Sequence, residues 1–468
     1  MNFNGGHNIL LEGKPSPVVR RLPEPNVLYL PLCSKRFSFS EMCVQDGQQV
    51  DAGDVVARDP NNFGLPLLAP RGGTVKLTTV PGHIVLSDLS PREGKALVPE
   101  KDMPHIVQKM GSAGMKRYKL LSLGAWKFFY DAHTGELPDP LGTPQAVIVS
   151  TLSLEPFLAR GDVQLHRRLL QFTRGLEHLQ SLLEYQPIYL ITPDIKSPFA
   201  AQVREHIRGY AWAKVVQVPA KYPYDNFSTL ARTLGLKKDA GPIWSVRVEG
   251  VLAIDRVLTV SKPCLVSIIS VGGPGAKAPG HLKVMPGYPV KEIIAECASS
   301  VPVRVTNGGM LTGEAITENS LGLDVECRGL TVIPELQERE FFGFARPGWD
   351  RKSYSACFLS SLRKKFDERL TTAVYGEPRP CVSCNFCEEV CPAGIMPHLL
   401  HKYLYRDMIE EVEQARVDLC IECGLCSFVC PSKIELMQQF IEAKAIVAKE
   451  KEEIKQERAK QQLQENGK

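Results

Sequence analysis

The sequence predicts several domains of mixed α/β and α+β class, with a helical module built around cysteines towards its C-terminal end. Three observations carry that prediction. Short β-type runs punctuated by glycine fill residues 26–95. Apolar β runs alternate with helical patterns through 96–260. Eight of the 14 cysteines fall between Cys381 and Cys430. A length of 468 residues suits two to four domains. With 44% hydrophobic and 23% charged residues, the chain has ample core for them.

Residues 1–25 are rich in Gly and Pro and lack a period, so they read as an arm laid over another domain. In 26–95, Val44-Gln-Asp-Gly47-Gln-Gln-Val50-Asp-Ala-Gly53 sets glycines six apart, each before a strand restart, and Leu68-Ala-Pro70-Arg-Gly-Gly73 repeats the device. Two such halves predict a small pseudo-symmetric flattened barrel. It resembles the barrel-sandwich hybrid of lipoyl domains, but its hairpin Arg58–Gly64 has no lysine to carry a prosthetic arm.

In 96–260, Ala146-Val-Ile-Val-Ser150 and Pro187-Ile-Tyr-Leu-Ile191 read as buried parallel strands, with helical patterns at 165–184 and 199–209. This is a Rossmann-like α/β layer domain. A nucleotide would be expected at its strand C-termini, yet no G-x-G-x-x-G or G-x-x-x-x-G-K-[ST] occurs. In 261–330 the order is strand 265–271, a Pro-Gly turn, strand, helix 291–297, strand 303–305 and Asn307-Gly-Gly309-Met-Leu-Thr-Gly313. It resembles the soluble-ligand-binding β-grasp (SLBB) domain. Residues 331–376 read as a connector, 377–435 as the cysteine module, and 436–468 as a solvated Lys/Glu/Gln-rich helical tail.

The cysteines form two runs, Cys381-x-x-Cys384-x-x-Cys387-x-x-x-Cys391-Pro and Cys420-x-x-Cys423-x-x-Cys426-x-x-x-Cys430-Pro. One compact turn supplies three thiolates to a cubane and cannot reach the fourth corner. In two-cluster ferredoxins the fourth cysteine of each run serves the other cluster. That assigns Cys381, Cys384, Cys387 and Cys430 to one [4Fe–4S] cluster, and Cys420, Cys423, Cys426 and Cys391 to the second. A zinc site uses a two-plus-two spacing, which leaves the third cysteine of each run and the Cys-Pro unexplained. Cys33, Cys43, Cys264, Cys297, Cys327 and Cys357 are scattered singly and read as small buried hydrophobes. His281, His398 and His401 are metal or quinone candidates, with surface or helix-cap roles the commoner alternative. Tyr222-Pro-Tyr224-Asp-Asn226 could edge a planar cofactor, or pack a turn. No nucleophilic catalytic constellation stands out.

A formal net charge of +4 gives no reason to expect nucleic acid. The N-terminus MNFNGGHNIL has neither a basic nor an apolar leader region, so secretion is not expected. No apolar run is long enough to span a bilayer, which puts any membrane role on partners.

The domain order is similar to that of the C subunit of the Rnf complex and, more distantly, to the NADH-binding subunit of respiratory complex I. At residue level, Gly241–Asp255, Val271-Gly-Gly-Pro274, Glu338–Gly348, Met396–Leu400 and Leu425–Pro431 resemble NqrA, the family of A subunits of the sodium-translocating NADH:quinone reductases (Nqr). That family lacks iron–sulfur clusters, whereas this chain has the double ligand set of the Rnf protein. The Rnf and complex I relatives hold FMN on a G-G-x-G-F-P loop. Here the place reads Met110-Gly-Ser-Ala-Gly-Met115, so FMN is not expected. The resemblance implies a peripheral cytoplasmic electron-transfer subunit of an ion-translocating NADH (or ferredoxin):quinone oxidoreductase. Membrane and flavin subunits would be its partners, together with an electron donor, and it would not itself insert into the membrane. Quinone contact is implied as well, without a residue signature. The rival reading is a free-standing soluble iron–sulfur flavin or NADH oxidoreductase.

Overall fold

The computed structural model describes residues 3–92, 94, 111–194, 196–299, 301–335 and 379–466. The run Glu338–Gly348, Cys357 and most of the expected connector lie outside them.

The first part is two facing antiparallel sheets. One runs Leu28–Pro31, His83–Ser90, Gly72–Lys76, Gln49–Val50, and the other Glu41–Met42, Val55–Asp59, Leu65–Leu68. Alternating apolar residues make the shared core, among them Leu28, Leu30, Val56, Leu67, Val75 and Ile84. The hairpin Arg58–Gly64 is pinned from within. Asp59, fully buried, accepts hydrogen bonds from the Ser38 and Asn61 amides and the Asn62 side chain at 2.8–3.0 Å.

Next comes a five-stranded sheet in the order Ala213–Val218, Ile188–Pro193, Ala146–Ser150, Ile243–Arg247, Phe129–Asp131. Its first four strands are parallel and the last is an antiparallel edge. Every residue of Ala146–Ser150 is buried, as expected for an unbroken apolar run covered on both faces. Helices Leu169–Gln180 and Val248–Val260 cover one face. They approach so closely that a Cβ on Gly175 would meet the Val251 carbonyl at 2.4 Å. Residues 111–115 of the flavin-loop position form the start of helix Gly111–Ser122.

The third sheet has six strands, in the order Val19–Arg21, Gly280–Val284, Ser267–Gly272, Gly329–Pro334, Val303–Asn307, Glu314–Ala315. Helix Val290–Cys297 packs on it through Ile293 and Cys297. Two expectations change here. The N-terminal arm is not patternless throughout, because Val19–Arg21 adds a parallel edge strand to Gly280–Val284. The boundary at 330/331 falls inside the strand Gly329–Pro334, whose Leu330 and Val332 belong to this core.

The cysteine module packs short helices Pro397–Leu404, Ile409–Gln414 and Leu425–Val429 against the long helix Leu436–Asn466, and Phe386–Glu389 against the first and last of these three. This corrects the reading of 436–468 as a solvated tail. Leu436, Phe440, Ala443 and Val447 are at most 5% exposed and belong to the module's core. They lie four, three and four residues apart, one stripe on one helix face. Beyond them the helix turns polar.

Candidate functional site

The two cysteine runs fold into near copies. In each, the residue before the second cysteine and the residue after it are left-handed: Ser383 and Asn385 in the first run, Glu422 and Gly424 in the second. A third left-handed residue, Gly394 or Lys433, follows each Cys-Pro. These reversals curl the chain so that the first three cysteines of a run line one hollow. The apolar residues four after each fourth cysteine, Ile395 and Ile434, are both buried.

The copies interlock. One pocket is lined by Cys381, Cys384, Cys387 and Cys430, together with His398, Ile434 and Leu436. The other is lined by Cys391, Cys420, Cys423 and Cys426, with Ile395, Leu425 and Phe440. The two hollows are alike in size, each with about 20 Å3 of free volume. All eight cysteines named from the sequence are therefore gathered, in two sets of four that exchange their fourth members between the runs. Four soft sulfur donors around an apolar hollow fit an iron–sulfur cluster in donor chemistry.

Burial pushes the Cys387 thiol up to about 11 and Cys420 to about 11, reinforced for Cys387 by neighbouring Cys384. Burial likewise takes Cys423 to about 12 and Cys426 well above its ordinary value. Without metal these thiols are protonated, so ligation requires each to release a proton.

The surroundings of the two pockets differ. Between the cysteines of the first loop, Val382, Ser383 and Asn385 are exposed, Val382 by 67%. Nothing in the second loop is exposed, and Gly424 and Leu425 are buried. Tyr222 donates its hydroxyl to the Cys423 carbonyl at 2.8 Å. A Cβ on Gly424 would stand 3.0 Å from the Leu311 carbonyl. Lys444 donates to the Cys420 carbonyl at 3.2 Å and pairs with Glu422. Arg232 donates to the Pro392 carbonyl, and the Gly6 amide donates to Val390. The N-terminal arm clamps this junction, since Tyr224 and Lys221 both donate to the Gly5 carbonyl at 2.7 Å.

The histidine candidates separate. His281 is fully buried in the six-stranded sheet, far in the chain from either run. Its Nδ1 faces the Ser16 carbonyl at 2.8 Å and its Nε2 accepts from the Arg160 amide at 3.3 Å. Burial lowers its pKa, so it is a neutral structural group with both nitrogens engaged. His401 contacts Gln439 at 2.8 Å and joins two helices. His398 alone lines a cysteine pocket, with Nδ1 3.5 Å from Glu388.

At the C-terminal ends of the parallel strands, the expected nucleotide position, the chain's own charges converge. Between Ala146–Ser150 and Ile243–Arg247 the strand order reverses, the usual ligand crevice of such sheets. Arg247 lies 3.8 Å from Asp225 there, and Arg328 lies 3.1 Å from Glu249. Glu155 accepts from the Leu311 and Thr312 amides at 2.8–3.0 Å, with burial raising its pKa. The loop that holds Leu311 against Gly424 is thus anchored in that crevice.

Sequence reading did not single out Gly424, Leu311 or Lys444. The stripe Leu436, Phe440, Ala443, Val447 was the available signal for the helix that presents Lys444, but the polar composition of the segment masks it.

Fold and site together define a multidomain α/β protein with an iron–sulfur module. Residues 380–435 match the family model of a 4Fe-4S dicluster domain, and residues 113–262 match that of the NqrA second alpha/beta domain. The chain is similar to the A subunits of Na(+)-translocating NADH-quinone reductases. The relative from Shewanella denitrificans is 25% identical over 360 residues, 77% of this chain and 79% of its own. That from Marinomonas sp. is 24% identical over 381 residues, 80% and 82% of the two chains. That from Alcanivorax borkumensis is 26% identical over 374 residues, 78% and 80%. An NAD+-reducing [NiFe]-hydrogenase structure aligns over 54% of this chain and 52% of its own, at 16% identity and a TM-score of 0.37, too low to carry an argument. Among the described residues no helix is long and apolar enough to cross a membrane.

Proposed function

We propose that this chain is the peripheral, cytoplasmic electron-relay subunit of an Nqr/Rnf-type ion-translocating NADH (or ferredoxin):quinone oxidoreductase. The observation that carries the reading is the pair of interlocked four-cysteine pockets in a chain similar to NqrA over most of its length. Cys381, Cys384, Cys387 and Cys430 would hold one [4Fe–4S] cluster, and Cys391, Cys420, Cys423 and Cys426 the other. Bound there, the two clusters supply one-electron uptake and release.

The protein's own contribution is positional. The left-handed residues aim the thiols, and Ile395, Ile434, Leu436 and Phe440 keep the pockets dry. Tyr222, Leu311, Arg232 and Gly6 fasten the second pocket to the body, while the loop of the first faces outward. In this reading the first pocket is the port to a partner protein and the second the port to the body. The preceding domains are read as a barrel-sandwich hybrid, a Rossmann-like domain and an SLBB β-grasp, serving as the docking frame for membrane and flavin subunits. Quinone contact is part of the reading through the family alone.

The test is purification of the full chain under anaerobic conditions, with iron, sulfide and flavin analysis. About eight iron and eight sulfide per chain are expected. Stoichiometric bound flavin, or NADH oxidation by the lone chain, would favour the free-standing oxidoreductase instead.

A further inference from the structure

A groove lies away from the cysteine pockets, where three parts of the chain meet. Its volume is about 300 Å3, the low end of small-molecule sites. The edge strand Val19–Arg21 of the six-stranded sheet supplies Arg21, and its neighbour Gly280–Val284 supplies Lys283. The end of helix Val248–Val260 and the loop after it supply Arg256 and Lys262, and the two-sheet sandwich supplies Arg71. The one carboxylate in the lining, Glu24, is paired with Arg71. Of the lining cations, Arg21, Arg256 and Lys283 make no ion pair with a carboxylate among the described residues, which leaves an excess of positive charge there.

Part of this has a structural reason. Arg256 donates to the Pro263 carbonyl at 2.9 Å, and cations beside a helix C-terminus meet the negative end of its dipole. No such reason covers Arg21 and Lys283. They stand directly opposite each other in register on neighbouring strands, where like charges cost stability. Neither has a carboxylate partner among the described residues. Burial first, and then Arg21, Arg168 and Arg256, push the Lys283 ammonium below its ordinary pKa. The Arg71 Nε is buried at the same groove without a hydrogen-bond acceptor. Apolar side chains, Leu22, Leu265, Val284 and Tyr288 among them, complete the wall.

We propose that this groove binds a small organic phosphate, its dianion held among Arg21, Arg256 and Lys283 and its apolar body against Leu22, Leu265, Val284 and Tyr288. The excess of charge calls for more than a single carboxylate. The small volume limits the ligand to about the size of a mononucleotide and excludes a polyanion. The proposal is independent of the cysteine pockets and survives if they hold no cluster.

The test uses the full chain, titrated calorimetrically and by thermal melting with inorganic pyrophosphate, adenosine 5′-monophosphate and adenosine. Both phosphates should saturate and raise the melting temperature, with the monophosphate about tenfold or more tighter than adenosine. Arg21→Gln combined with Lys283→Gln should weaken both phosphates about tenfold or more, yet raise the melting temperature of the ligand-free chain. Lys283→Gln alone, a change at an exposed position, serves the same comparison if the double variant misfolds. Equal binding of adenosine and its monophosphate, unchanged phosphate affinity in the variants, or no saturable binding of either phosphate would overturn the proposal.

Discussion

The two cysteine pockets share a ligand pattern, a set of left-handed turns and a volume, and differ in what lies against them. At the residue after the second cysteine the first loop has Asn385 and the second has Gly424, both left-handed. Asn385 is exposed, so a side chain costs nothing there. Gly424 lies against Leu311, where a Cβ would stand 3.0 Å from the Leu311 carbonyl and require the neighbour to give way. One substitution between two copies thus separates a loop that faces outward from a loop welded to the rest of the chain. Ligand spacing sets what a pocket can hold, and the residues between the ligands set what it can face.

The largest effect should come from the long helix. Phe440 lines the second pocket and is fully buried, so Phe440→Ala should cost about 3–5 kcal/mol. Truncation after Met437 removes Phe440, Ala443 and Val447 together and should abolish the module. Iron content and thermal melting report both. If the truncated chain kept full iron, the helix would be the solvated tail its composition suggests.

Gly424→Asn writes the first loop's residue into the second. A Cβ 3.0 Å from a backbone carbonyl forces movement, and a loss of about 1–3 kcal/mol with easier proteolysis at the junction is expected. The reciprocal Asn385→Gly should change stability by less than about 1 kcal/mol. Equal effects would erase the difference between the pockets.

A carboxylate outside both pockets sets the baseline for pH. Burial, and then Glu326, push Asp324 up to about 7 from 3.8. With the folded pKa above the unfolded one, the unfolded chain ionises first, so stability falls as pH rises from about 4 to about 7. Asp324→Asn should therefore stabilise the chain by about 1–3 kcal/mol above pH 7 and make little difference near pH 4. Chemical denaturation at the two pH values checks the sign.

Tyr222→Phe removes one hydrogen bond to Cys423 and should cost about 0.5–1.5 kcal/mol. It touches the second pocket alone. Lys444→Gln removes a cation 3.2 Å from the Cys420 carbonyl, so the potential of the second centre should fall while that of the first stays. Redox titration followed by electron paramagnetic resonance separates the two.

What the sequence showed of the site was its local chemistry. Cysteine spacing is read directly along the chain, as is Cys-Pro at the end of each run, and so the eight ligands were legible. The seating of the second pocket was not, because its contacts are long-range: Gly6, Tyr222 and Leu311 approach from 113 or more positions away in sequence. Of the fold, Ala146–Ser150 was legible because a central strand must be apolar throughout. Val19–Arg21 was not, since a three-residue edge strand takes its hydrogen bonds from Gly280–Val284 and needs no pattern of its own. Leu436–Val447 was obscured by averaging its stripe with the polar residues that follow.

The central claim is that each pocket takes its fourth ligand from the other run. Cys391→Ala tests it most directly, with electron paramagnetic resonance on the anaerobically reduced full chain. The account predicts loss or conversion of the centre held by Cys420, Cys423 and Cys426, while the centre held by Cys381, Cys384, Cys387 and Cys430 keeps its signal. Loss of the centre held by Cys381, Cys384 and Cys387 instead, with the other intact, would contradict it.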